Sequence, residues 1–160
     1  MDKKSLNKAI RILKTGGVIA FPTETVYGIG AALNQPAAIK RIYKIKNRPI
    51  NKPLQVLVST LEEAKRLGVF NKQALSLAKA WPGPLTLVVN KTKLVPKLVT
   101  GGAPKVGLRI PDHQDSVPAF VVEVEQIPTG QIEACHLCDS TGDLGKHGQF
   151  VHWWRHAALF

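Results

Sequence analysis

Two periods of apolar spacing run through the first 113 residues. Leu6, Ala9, Ile10 and Leu13 fall at the i, i+3, i+4, i+7 spacing of one buried helical stripe, with Ser5 in place to cap the helix and Gly16 to end it. Val18 to Phe21 is a β-branched apolar run of strand length, expected to be a central strand, and Pro22, which has no N–H, should end it. Asn34-Gln35-Pro36 opens a second helix with Ile39, Ile42 and Tyr43 as its apolar stripe. Lys40, Arg41, Lys44, Lys46 and Arg48 crowd its exposed side and its end, and Pro49 and Pro53 stop it. Leu54 to Val58 reads as the next strand. Thr60 with Glu63 three residues later reads as a capping box before Leu61, Ala64 and Leu67, and Asn71 starts another helix through Ala74, Leu75 and Ala78. Trp81-Pro82-Gly83-Pro84 is a hard break before the strand Leu85 to Val89. A turn at Val95-Pro96 and the pair Gly101-Gly102 precede a strand from Lys105 to Ile110, closed by Pro111-Asp112-His113. Strands alternating with helices predict an α/β domain built on a mixed sheet.

The texture changes after His113. Residues 114–160 hold both cysteines, four of the five histidines and two of the three tryptophans but almost no lysine; Phe120 to Glu125 has strand character, and no later segment shows a clean helical stripe. The division expected is therefore a domain at 1–113 and a divergent tail at 114–160. Charge divides at the same place. Residues 1–113 carry 20 of the 22 Lys and Arg but 5 of the 11 Asp and Glu, a net +15, whereas 114–160 are at −4. A surplus of that size favours a polyanionic partner, either a nucleotide triphosphate or nucleic acid. No apolar run approaches the roughly 20 residues of a membrane-spanning helix, and Met1-Asp2-Lys3-Lys4 leads into an amphipathic segment rather than a signal-peptide core. With two cysteines a disulfide framework is not expected, and a reducing cytoplasm fits.

Phosphate chemistry is what the charge asks for, yet neither standard nucleotide loop is present. Gly28 and Gly30 match the first two glycines of a dinucleotide fingerprint, but Leu33 stands where the third belongs, and no G-x-x-x-x-G-K-[ST] occurs. An ATP site must then use side chains, and Lys46-Asn47-Arg48-Pro49 offers them. Two cations at i and i+2 converge if the chain leaves helical geometry there, Arg gripping phosphate through its fork and Lys as a point charge. Upstream, Thr23-Glu24-Thr25 form a polar mouth just past the apolar run, where open α/β sheets place ligands.

Taken in order, the motifs are Phe21-Pro22-Thr23-Glu24-Thr25-Val26-Tyr27-Gly28, Lys46-Asn47-Arg48-Pro49, Lys52-Pro53-Leu54, Trp81-Pro82-Gly83-Pro84-Leu85-Thr86 and Val106-Gly107-Leu108-Arg109-Ile110-Pro111. This set resembles the YrdC/Sua5/TsaC family of threonylcarbamoyl-adenylate synthases over roughly residues 5–113. The resemblance implies a twisted mixed α/β sheet with flanking helices and an open, basic concave face. It implies a nucleotidyltransferase joining L-threonine, bicarbonate and ATP into threonylcarbamoyl-AMP, with pyrophosphate released, for t6A modification of tRNA. Carried over by position, Thr23 and Arg109 would bind threonine, and Lys46 and Arg48 the ATP phosphates. Mg2+ is expected on the phosphates, held by ATP and water, with no protein nucleophile and no protein metal site. Further partners implied are tRNA or double-stranded RNA and the threonylcarbamoyl-transfer complex. A second reading uses the same basic face as a non-catalytic RNA-binding module.

The family's S-x-N segment, which follows the R-I-P stretch, is absent after Pro111. The expectation is an incomplete domain whose resemblance stops where a frameshift or truncation begins near residue 114, and with it a defective synthase. Cys135-His136-Leu137-Cys138 with His147, His152 and His156 has the look of a zinc set, but the spacing is short for a finger.

Overall fold

The computed structural model describes residues 3–22, 27–112 and 120–123. Thr23 and its neighbours in the polar mouth, and the cysteines and histidines of the tail, lie outside the described residues.

The first helix, α1 (Lys3–Lys14), begins two residues ahead of the expected cap, so Ser5 sits inside its first turn. A tight pair of strands follows, β1 (Val18–Pro22) and β2 (Tyr27–Ala32), paired antiparallel from Val18↔Ala31 to Pro22↔Tyr27. Pro22 is thus the last residue of β1 rather than the break after it. The strand tolerates it because β1 is the outermost strand of the sheet, not a central one, and a missing N–H on an edge costs no ladder bond. Gly28 and Gly30 belong to β2 itself and form no loop.

Next come α2 (Pro36–Ile45), β3 (Gln55–Leu57), α3 (Leu61–Leu67), β4 (Gly68–Val69) and α4 (Lys72–Leu77), which runs into one 3-10 turn at Ala78–Ala80. The strands β5 (Leu87–Lys91), β6 (Lys105–Arg109) and β7 (Phe120–Glu123) complete the described chain. Pro36 at the start of α2 places its missing N–H where the helix has no acceptor for one. Thr60 caps α3 by accepting from the Glu63 amide at 3.1 Å, while Glu63 Oε2 reaches back to the Ser59 amide at 3.0 Å and the Ser59 hydroxyl at 2.9 Å. That is a capping box displaced by one residue. Asn71 caps α4 through the Ala74 amide at 2.8 Å.

The seven strands form one mixed sheet in the order β1-β2-β7-β3-β6-β5-β4. All neighbours are antiparallel except β3 and β6, whose parallel pairing uses the intervening α3, β4, α4 and β5 as its crossover. The tail's Phe120–Glu123 therefore enters the sheet's interior as β7, paired antiparallel with both β2 and β3.

Strand alternation sends side chains to two different fates. On one face Ile29, Ala31, Val56, Val89, Val106 and Leu108 pack with Ala38, Ile39, Ile42 and Tyr43 of α2 and Ala64 and Leu67 of α3. Burying each large aliphatic side chain there is worth about 1.5–3 kcal/mol. The opposite face carries a smaller cluster at the β1–β2 edge, where Ile19, Phe21 and Ala32 meet Ala9, Ile12 and Leu13 of α1. Beyond that edge the second face is uneven: Leu57 and Arg109 are almost fully buried, whereas Val88 on β5 is 65% exposed.

Candidate functional site

The glycines make this second face unusual. Cross-strand partners share a face, so the pairings Gly30↔Val122, Val122↔Gln55, Gln55↔Gly107 and Gly107↔Val88 define one row across five strands. Glycine occupies two of its positions, and Gly28 lies one step along β2 on the same side. β2 and β6 thus carry no side chain at these positions; Gly28 and Gly30 are buried beside their β1 partners Phe21 and Ile19, and Gly107 is half-buried. Gly107 also has a close neighbour: a Cβ there would lie 3.3 Å from the methyl carbon of Thr86. Thr86 crosses close over the bare strand, and its hydroxyl donates to Gln55 Oε1 at 3.3 Å.

At one end of β3 stands the K-x-R segment. Lys46 is the C-terminal cap of α2, and Asn47 turns into the left-handed region at φ 48°. The Asn47 amide donates to Lys44 O at 3.2 Å and the Arg48 amide to Tyr43 O at 2.9 Å. This is a Schellman ending, built on Asn because its short polar side chain tolerates a conformation most residues avoid. It is the departure from helical geometry that the sequence called for, and Lys46 and Arg48 both sit half-buried on it. Arg48 Nη2 donates to Pro53 O at 2.9 Å, folding its guanidinium toward the start of β3. The connecting turn is fixed from below. Tyr43 Oη lies 3.0 Å from Lys52 O and 2.9 Å from Leu98 O, and the Leu54 amide donates to Val99 O at 2.7 Å.

Arg109 lies at the other end of β3, in register with Leu57, and shares the Gly107 face two residues along β6. It is almost fully buried, 6% exposed, and its Nε donates to Gly83 O at 3.1 Å. The Gly83 amide in turn donates to Ile110 O at 2.8 Å, so the Trp-Pro-Gly-Pro break clasps the end of β6. Trp81 holds that loop through Nε1 on Leu85 O at 2.6 Å and an edge-on contact with Phe70 at 6.2 Å. Two of the motifs singled out in the sequence thus converge physically on Arg109. Lys46 and Arg48 come together on one turn, and Arg109 stands apart from them with Gln55 between.

Gln55 is the residue sequence reasoning passed over. Its signal was a lone carboxamide in the otherwise apolar Leu54 to Val58. Among the described residues there is no group of three His, Cys, Asp or Glu arranged to hold a metal ion, and no helix is long and apolar enough to cross a membrane.

Residues 11–118 match the Sua5/YciO/YrdC family model, described as telomere recombination. The threonylcarbamoyl-AMP synthase of Pyrococcus abyssi is 39% identical over 130 residues, covering 80% of this chain and 38% of its own length. That of Psychromonas ingrahamii is 36% identical over 117 residues, covering 71% of this chain and 61% of its own. The structure of P. abyssi Sua5 complexed with L-threonine superposes with a TM-score of 0.75 at 34% identity, over 79% of this chain and 40% of that one. This chain spans 38% and 61% of the two curated relatives. It belongs to the Sua5/YciO/YrdC family.

Proposed function

We propose that this chain is a threonylcarbamoyl-AMP synthase, a nucleotidyltransferase that uses L-threonine, bicarbonate and Mg-bound ATP. The observation that carries the proposal is the pairing of a left-handed turn presenting Lys46 and Arg48 with a glycine-floored face that ends at Arg109. The relatives named for this reaction, and the one bound to L-threonine, support it.

In this reading the threonine amine attacks the bicarbonate carbon and water leaves, giving the N-carboxylate. A carbamate oxygen then attacks the α-phosphorus of ATP; the bond from that phosphorus to the bridging oxygen breaks and pyrophosphate departs with the electron pair. Neither step calls for a protein nucleophile. Catalysis then rests on positioning and on cations facing the phosphate charge. Lys46 and Arg48 face the phosphates, Arg48 with a guanidinium already oriented by Pro53 O, and Thr23 and Arg109 hold threonine. Mg2+ enters with ATP and needs few protein ligands. The product serves tRNA modification, and the +15 charge of residues 1–113 supports a transient encounter with tRNA in the cytoplasm.

Pyrophosphate release by the purified chain tests the proposal. Release that requires ATP, L-threonine and bicarbonate together is the expected result, and Arg48→Ala should reduce it by a factor of ten or more. Folded protein that releases none, yet binds RNA with steep salt dependence, would replace this reading with the non-catalytic RNA-binding module.

A further inference from the structure

Gln55 combines three features that ordinary packing does not explain. Its neighbours Leu54, Val56, Leu57 and Val58 are all buried and apolar. Its Nε2 is enclosed from solvent and has no hydrogen-bond partner among the described residues. Its Oε1 is taken by the Thr86 hydroxyl at 3.3 Å. An enclosed amide donor without an acceptor lowers the stability of the unliganded fold, and native chains keep such groups where something else will satisfy them.

The surroundings say where that acceptor comes from. Thr86 lies close over Gly107, where a Cβ would stand 3.3 Å from the Thr86 methyl. With the Thr86 hydroxyl on the oxygen, the NH2 is the group left without a partner among the described residues. Gln55 is in register with Gly107 on β6, and Gly30 stands two strands away in the same row. Along β3, Gln55 lies between the turn that carries Lys46 and Arg48 and the register position of Arg109. Arg48 is tied to Pro53 O, two residues before Gln55, and Arg109 pairs with Leu57, two residues after.

We infer that Gln55 is a substrate-contacting residue, its Nε2 donating to an anionic oxygen of the ligand midway between the Lys46–Arg48 turn and Arg109. The inference rests on the reading of this face as the substrate site. The ligand class is a phosphate or carboxylate oxygen, so the acceptor belongs to ATP or to threonine. Thr86 acts through Gln55, as a positioning residue.

Gln55→Met keeps the length of the side chain and removes the donor; Gln55→Glu keeps its shape and turns the donor into a negative acceptor. Calorimetry with ATP and with L-threonine, on full-length wild type and both variants, separates the two sources of the oxygen. The expected result for Gln55→Met is a melting temperature above wild type without ligand, together with about tenfold weaker binding (about 1.4 kcal/mol) of whichever ligand it touches. Gln55→Glu should bind that ligand more weakly still. A lower melting temperature for Gln55→Met, or loss of folding, would make the amide a structural anchor and overturn the inference. So would unchanged affinities in both variants while wild type binds normally. Wild type that binds neither ligand would instead bring down the substrate-site reading, and this inference with it.

Discussion

Gly101 and Gly102 provide a matched pair for asking what holds the K-x-R turn in place. Both have left-handed backbones, φ 58° and 87°, so an alanine at either pays the same steric penalty between Cβ and the following carbonyl, about 1–2 kcal/mol. Their surroundings differ. A Cβ on Gly102 meets nothing within 4 Å, whereas one on Gly101 collides with the Asn51 carbonyl oxygen and lies 2.6 Å from its carbon. Those are backbone atoms, which cannot swing aside as a side chain would. The loop must move, at a further cost of about 1–3 kcal/mol typical of overpacking. Asn51 lies between Arg48 and Lys52, so displacement strains the Leu54 amide on Val99 O and the Arg48 contact with Pro53 O. Urea denaturation should therefore separate Gly101→Ala from Gly102→Ala by about 2 kcal/mol, roughly a 1 M difference in midpoint at a typical slope. Calorimetric ATP affinity should fall in the first variant and hold in the second. Equal midpoints would mean that the 94–104 segment does not press on the turn, and the buttressing argument would fail.

Two further perturbations probe the same frame. Tyr43→Phe removes a hydroxyl lying within 3.0 Å of two carbonyls and should cost about 1–2 kcal/mol in chemical denaturation, with ATP affinity falling more than threonine affinity because the loss is felt at Lys52. Leu108→Ala opens a cavity at a fully buried position and should cost about 2–5 kcal/mol by the same method, whereas Val88→Thr, two-thirds exposed on the open face, should stay within about 0.5 kcal/mol of wild type.

The elements that were legible in the sequence are those whose signal is local. The Ile39, Ile42 and Tyr43 stripe declared α2, Thr60 and Asn71 declared two helix starts, and all three carry burial or hydrogen bonds that match. The strand Lys105–Arg109 was readable because Val106 and Leu108 alternate with polar or small residues. β2 was not, because Tyr-Gly-Ile-Gly-Ala-Ala has little β-branched content; its two glycines looked like remnants of a phosphate loop. β4, at two residues, is too short to carry a period at all. The edge position of Val18–Pro22 was hidden for another reason: strand order depends on pairing between distant segments, and no local pattern reports it. Lys46 and Arg48 were readable as a candidate pair because they are two cations, separated by one residue, at a helix end. Gln55 became visible only when Thr86, 31 residues away, was seen to hold its oxygen.

That contrast has a physical root. A side chain selected for packing repeats a pattern, because its neighbours on the same face are under the same demand. A side chain selected for a ligand breaks the pattern, because its partner is not in the chain. On this sheet the packed face follows the rule from Ile29 to Leu108, while the opposite face departs from it at Gly28, Gly30, Gln55 and Gly107. Each departure lowers stability: the glycines bury no side chain and add backbone freedom to the unfolded state, and the Gln55 donor has no acceptor among the described residues. The departures fall on one face and, for Gly30, Gln55 and Gly107, in one row of the sheet. The fold can carry that loss because the other face is complete, with Ile39, Ile42, Val56 and Leu108 fully buried. Methionine at 55 should move stability and binding in opposite directions, and the sign of that trade distinguishes a binding floor from a poorly packed one.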